Sequence, residues 1–212
     1  MRRPLSGAGP IAILLALFVV VGMLVMTGRT AVLDRAVLAA LREPGQPGLA
    51  DLPDWLVAVA RGLTQAGGFP VRAVIALCGA LGLFVAGRAR PALALVLGWG
   101  GGVLLVELLK TLVARARPEV AWRLIEARAM SFPSGHATGA MLLYPLLGFF
   151  LGGLAGERQA KAGALAGIAF ALLVGFTRVL LGVHWASDVA GGWLLGGAIA
   201  WFATGAVAPA RR

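Results

Sequence analysis

What most constrains this chain is the recurrence of long apolar stretches broken by few charges. Six segments, roughly 10–27, 70–87, 91–110, 137–154, 162–180 and 186–206, are long enough at a rise of about 1.5 Å per residue to cross hydrocarbon about 30 Å thick. Lipid offers no partner to an unpaired backbone amide, and none of the six alternates apolar and polar residues as a strand would, so all six are predicted as helices. The expected fold class is therefore all-α: one six-transmembrane-helix bundle over residues 1–212, with no second domain. Composition agrees, since 59% hydrophobic and 13% charged residues with a mean hydropathy of +0.88 are too apolar for a soluble domain of this length. The run after Met1-Arg2-Arg3 resembles the start of a signal peptide. It spans about 18 residues with no small-x-small cleavage site after it, so it reads as a retained first helix.

Between the first and second spans the pattern changes. Val32, Leu33, Ala36, Val37, Ala40 and Leu41 recur at helical spacing, as do Leu56, Val59, Ala60 and Leu63, which predicts two short interfacial helices separated by Pro44, Pro47 and Pro53. An ordered linker is the alternative to a lid over a site. The formal charge of +10 raises nucleic acid as a partner, but no basic run, aromatic RNA-reading motif or zinc-ligand spacing accompanies it. Excess cations in a membrane protein serve cytoplasmic loops, anionic headgroups and anionic substrates. The single cysteine, Cys78, cannot form an intrachain disulfide or a metal cluster and is read as core packing. With a cytoplasmic N-terminus, the cytoplasmic pieces hold Arg2, Arg3, Arg88, Arg90, Arg158, Lys161, Arg211 and Arg212 against Glu157. Residues 28–69, 111–136 and 181–185 then fall on the extracytoplasmic face, although Arg115, Arg117, Arg123 and Arg128 there weaken the asymmetry.

Three polar patches share that face. Lys110 and Arg117 stand seven apart, two helical turns on one face, and could grip a phosphate as a point charge and a planar fork; alternatively they snorkel. Arg115 is expected to point elsewhere on the same helix as a structural residue. Pro133-Ser134-Gly135-His136 precedes the fourth span, where free amides favour an anion, Gly135 permits close approach and Ser134 offers a hydroxyl or simply an N-cap. His136 alone reads as readily as a structural histidine. In the third patch, Arg178 ends the fifth span, and His184 and Asp188 stand at i and i+4, so the carboxylate can fix the imidazole tautomer if the sixth helix begins near His184. That leaves the other ring nitrogen free as a nucleophile; an interfacial His-Asp pair that locks two helices is the rival. His136 and His184 are the chain's only histidines. Three cations, a helix-start nest, two histidines and a carboxylate predict a phosphate-transfer site without a metal.

KTLVARARP at 110–118, PSGH at 133–136 and TRVLLGVHWASD at 177–188 resemble the three-part signature of the PAP2 (type 2 phosphatidic acid phosphatase) superfamily, K-x6-RP, PSGH and SR-x5-H-x3-D, with Thr177 in place of the usual serine. The resemblance implies a metal-free bacterial lipid phosphatase that needs no cofactor. His184 would be the nucleophile oriented by Asp188, His136 the acid and then base, and Lys110, Arg117, Ser134, Gly135 and Arg178 the phosphate ligands. It further implies a multi-pass protein of the bacterial inner membrane acting on a lipid phosphate. Undecaprenyl pyrophosphate is favoured on the single-domain architecture and the site's orientation, with phosphatidylglycerophosphate, phosphatidic acid and lipid A phosphate as alternatives. A phospholipid transporter is one rival, but the polar residues cluster at helix ends and no internal repeat is evident. A purely structural membrane protein leaves the convergence of the three patches unexplained, and a membrane-embedded bundle argues for lipid hydrolysis over vanadate-dependent peroxidase chemistry.

Overall fold

The structure, a computed structural model, describes residues 8–207. Arg2, Arg3, Arg211 and Arg212, counted above for orientation, lie outside the described residues. Eight helices follow one another: α1 (Ala8–Met26), α2 (Ala31–Ala39), α3 (Asp54–Ala66), α4 (Phe69–Val85), α5 (Ala89–Val113), α6 (Gly135–Gly152), α7 (Glu157–Leu180) and α8 (Ala186–Val207). Five of them, α1, α5, α6, α7 and α8, are long and apolar enough to span by themselves. The bent α3–α4 pair supplies the sixth crossing, with a 52° turn at Gly67-Gly68.

Two short helices do occupy the region between the first and second spans, but the second of them is continuous with the span after it. α3 runs into α4 through the bend and packs on α7, where Ala60 buries against Leu180, Leu181 and Val183. Between α2 and α3 the chain forms a small hairpin, β1 (Arg42–Glu43) with β2 (Gln46–Ala50), around a Pro44-Gly45 turn. This was not foreseen: strands this short carry no periodicity, and only the Pro-Gly turn marks them.

α6 is the axis of the bundle, touching α4, α5, α7 and α8. Lipid tails do not drive helices together as water does, so close association rests on small residues that let backbones meet. A Cβ on Gly148 or Gly163 would collide with the other's carbonyl across α6 and α7, and one on Gly196 would strike Thr138 O across α6 and α8. Cys78 is exposed on the outer face of α4 rather than in the core; a thiol passes for an apolar group against lipid as well as inside protein.

The end of α5, the start of α6, the end of α7 and the start of α8 lie at one end of the bundle with the α3–α4 bend. Loop 114–134 is tied to the α7–α8 turn there: Leu124 N donates to Leu181 O at 2.9 Å, and Arg42 Nη2 donates to Trp122 O at 2.7 Å. Gly182, at φ +71°, makes that turn against Trp122 O and the Arg42 guanidinium, a seat that leaves no room for a side chain.

Candidate active site

At this end of the bundle a cavity of about 330 Å³ is lined by Lys110, Arg117, Gly135, His136, Arg178 and His184. Six of the eight residues singled out in the sequence thus face one space. Of the other two, Asp188 stands behind His184. Ser134 is fully buried outside the cavity wall, where its Oγ caps α6 by accepting from Ala137 N at 3.5 Å, and its carbonyl accepts from Thr138 Oγ1 at 2.9 Å. The N-cap role, not the phosphate contact, is the one its geometry serves. The amides of Gly135 and His136 in the first turn have no intrahelical acceptor and remain as donors beside the cavity.

His184 is 1% exposed and lies in the α7–α8 turn; α8 begins two residues later, at Ala186, so the pair with Asp188 bridges the turn and the helix start rather than riding on one helix. Arg117 Nη1 lies 2.9 Å from His184 Nε2. A guanidinium can only donate, so Nε2 accepts and the ring proton sits on Nδ1. Nδ1 is 3.4 Å from Asp188 Oδ2 and 3.3 Å from Ser131 Oγ, and the Ser131 hydroxyl itself donates to Asp188 Oδ2. Trp185 N adds a further donor to that oxygen at 2.9 Å. Burial pushes the His184 imidazolium down to a pKa of about 4, outweighing the support of Asp188, while the nearby Arg117 charge lowers it further. The ring is neutral at physiological pH, with its lone pair on the cavity side.

Behind this pair is a network that sequence reading missed. The helix does not carry Arg115 or Arg117, because α5 ends at Val113 and Ala114 turns left-handed at φ 49°. Arg117 still reaches the cavity, from an extended segment, and is held there by the carbonyls of Ala129, Met130 and Val183. Arg115 points away from the cavity, as expected of a structural residue, but what it braces is the carboxylate behind His184. Its Nη1 pairs with Asp188 Oδ1, its Nη2 with Asp34 Oδ2 at 2.6 Å, and its guanidinium lies 5.8 Å from the Trp185 ring centre. Asp34, on α2, also receives Ser187 N at 2.9 Å and Ser187 Oγ at 2.7 Å. The carboxylate behind His184 is thereby clamped, through Arg115, to a residue near the other end of the chain. Breaking one partner of such a buried pair costs roughly 3–5 kcal/mol.

The remaining cations come from separate elements. Lys110, on α5, pairs with Glu107 Oε1 at 2.7 Å, and its ammonium lies beside Gly135 at the start of α6. Arg178, on α7 and 5% exposed, receives support from α3, since its Nη1 donates to Thr64 Oγ1 at 2.6 Å. Thr177 does not join them; its hydroxyl donates back to Val174 O within α7. His136 lines the cavity with no hydrogen bond to its ring among the described residues. Its Cδ2 lies 2.8 Å from where a Cβ on Gly67 would stand, so the α3–α4 bend packs directly against the ring.

A family model described as the PAP2 superfamily matches residues 91–212, which contain all eight of these positions. Phosphatidylglycerophosphatase B of Bacillus subtilis (strain 168) is 36% identical to this chain over 146 residues, covering 67% of the chain and 70% of that protein. A crystal structure described as the first transmembrane PAP2 type phosphatidylglycerolphosphate phosphatase, also from Bacillus subtilis, is similar with a TM-score of 0.82 at 28% identity, over 94% of this chain and 96% of that one.

Proposed function

The chain belongs to the PAP2 superfamily and is a membrane lipid phosphatase, and from that premise we propose that its substrate is phosphatidylglycerophosphate, dephosphorylated through a phosphohistidine on His184. The observation that carries the mechanism is the neutral His184 ring with Nε2 turned to a cavity rich in cations. In the first step Arg117 Nη1, which Nε2 accepts from in the free chain, passes its hydrogen bond to a phosphoryl oxygen. The freed Nε2 lone pair attacks phosphorus while the bond from phosphorus to the glycerol oxygen breaks, and His136 gives that oxygen its proton. In the second step His136 takes a proton from water as the water oxygen attacks the phosphohistidine, releasing inorganic phosphate and returning His184 to its neutral form. Asp188 holds Nδ1–H throughout. Lys110, Arg117, Arg178 and the Gly135 amide offset the charge that builds on the phosphoryl oxygens. The scheme routes no step through a metal ion.

The choice of lipid rests on the names of the two Bacillus relatives. Undecaprenyl pyrophosphate is the second reading, supported by an orientation that turns the site away from the cytoplasm. Arg88, Arg90, Arg158 and Lys161 cluster at the bundle end opposite the cavity, as the positive-inside tendency favours for the cytoplasmic end. The test is phosphate release by the purified, detergent-solubilised chain from phosphatidylglycerophosphate in excess EDTA. Turnover supports the reading; activity that appears only on adding magnesium overturns the metal-free scheme, and turnover of undecaprenyl pyrophosphate alone overturns the choice of lipid.

A further inference from the structure

An arginine outside the three signature stretches also lines the cavity. Arg72, on α4, precedes the segment that the family model matches and is only 5% exposed. It forms no hydrogen bond or ion pair among the described residues, and its buried Nε has no acceptor. A guanidinium presents five donors and stays charged, so leaving it unmatched inside a membrane bundle is costly. The fold nevertheless makes room for it: a Cβ on Gly139 would fall on Arg72 Nη1, so α6 carries a glycine where the guanidinium lies. Trp99, on α5, lines the same cavity and likewise keeps a buried indole N–H without an acceptor. Two unmatched donors from neighbouring helices beside one space call for an oxyanion.

The position of Arg72 separates it from the other cations. Gly135 and Gly139 are one turn apart on one face of α6, with Lys110 against the first and Arg72 against the second. The Arg72 seat is therefore about 6 Å further along α6 from the cluster at its start, towards the interior of the bundle. Trp99, Gly102 and Leu142 line the same cavity.

We propose that Arg72 and Trp99 form a second anion subsite that binds a phosphodiester joined to the scissile phosphate through a short polyol, and so select lipids with two phosphates over lipid monophosphates. This rests on the lipid phosphatase reading above. One helical turn suits two phosphates spaced by a glycerol better than two sharing a bridging oxygen, so the diester lipid is favoured over the pyrophosphate.

The experiment measures kcat/KM for wild type, Arg72→Gln, Arg72→Lys and Trp99→Phe on phosphatidylglycerophosphate, undecaprenyl pyrophosphate and phosphatidate in one detergent, with size-exclusion profile and Tm reported for each variant. Arg72→Gln is expected to lose about 10- to 100-fold on phosphatidylglycerophosphate and no more than about threefold on phosphatidate, with partial recovery in Arg72→Lys. Trp99→Phe keeps the ring and removes the donor, so it is expected to show the same selectivity with a smaller loss, and it decides the matter if Arg72→Gln does not fold. Equal losses on all three lipids, or no loss on phosphatidylglycerophosphate, overturn the subsite. A loss confined to the pyrophosphate overturns the glycerol-spaced geometry. A wild-type chain that releases phosphate from none of the three overturns the lipid phosphatase reading itself, whatever the variants do.

Discussion

The two histidines of this chain face one cavity and are held in opposite ways. His184 is fixed on both nitrogens: Nδ1 by Asp188 and Ser131, Nε2 by Arg117, with Arg115 and Asp34 bracing the carboxylate from behind. His136 has packing around it and no hydrogen bond to its ring among the described residues. The contrast follows the chemistry proposed for each. A nucleophile must present the same lone pair in every cycle, so its tautomer is worth fixing with a buried network. A group that gives up a proton and then takes one back would be slowed by a partner that favours either form.

Several measurements can break or sharpen that contrast. The largest effect is expected from His184→Ala, a fall of roughly 10⁴- to 10⁶-fold in kcat, because no neighbouring group can replace the nucleophile. Turnover within tenfold of wild type would remove His184 from that role. Asp188→Asn is expected to cost about 10³- to 10⁴-fold, since an amide can donate to Nδ1 and move the ring proton to Nε2. A loss smaller than that of Ser131→Ala would show that the serine, not the carboxylate, sets the tautomer. For His136→Ala a fall of about 10²- to 10⁴-fold is expected. With an activated aryl phosphate, this variant is also expected to accumulate acid-labile phosphate on the protein; its absence after rapid quench would break the assignment of the second step.

The pH profile tests the same asymmetry. The pKa of His184 is depressed to about 4, so the folded chain binds fewer protons than the unfolded chain between that value and the ordinary histidine pKa of about 6.5. Its contribution to stability is therefore full above the unfolded value and is lost as pH falls towards 4. The acid limb of kcat/KM set by this ring is expected near pH 4, and a limb at about 6.5 in wild type would show an imidazole not desolvated as the geometry requires. The smallest effect is expected from Thr64→Val, about threefold to tenfold in kcat/KM, through the lost Thr64 hydroxyl contact to Arg178.

The helical bundle was legible in the sequence because each span is a long apolar run, and a run needs no partner to be recognised. His184, Asp188, Arg178 and Lys110 were legible through spacing near helix ends. Arg117 was placed in the right cavity by the wrong route, since nothing in KTLVARARP announces that Ala114 turns left-handed and ends the helix. Arg115 and Asp34 were missed because their partnership spans 81 positions and rests on α2 folding back over the start of α8. Arg72 did have a signal: an arginine within an otherwise apolar span is costly enough to imply a purpose. Ser131 stood two residues before the PSGH stretch, and its contact with His184 became visible only with the α7–α8 turn in place.

The pairing of Lys110 with Glu107 gives the cavity a counter-ion of its own. In the mechanism proposed above, an incoming phosphate dianion would displace that carboxylate, which lies one turn back on α5 and is 62% exposed, before gaining the ammonium. The same carboxylate is at hand to reclaim Lys110 once the phosphoryl group has been cut free. On that proposal Glu107 would weaken capture and hasten departure, an exchange that suits an enzyme whose product is itself an anion able to linger.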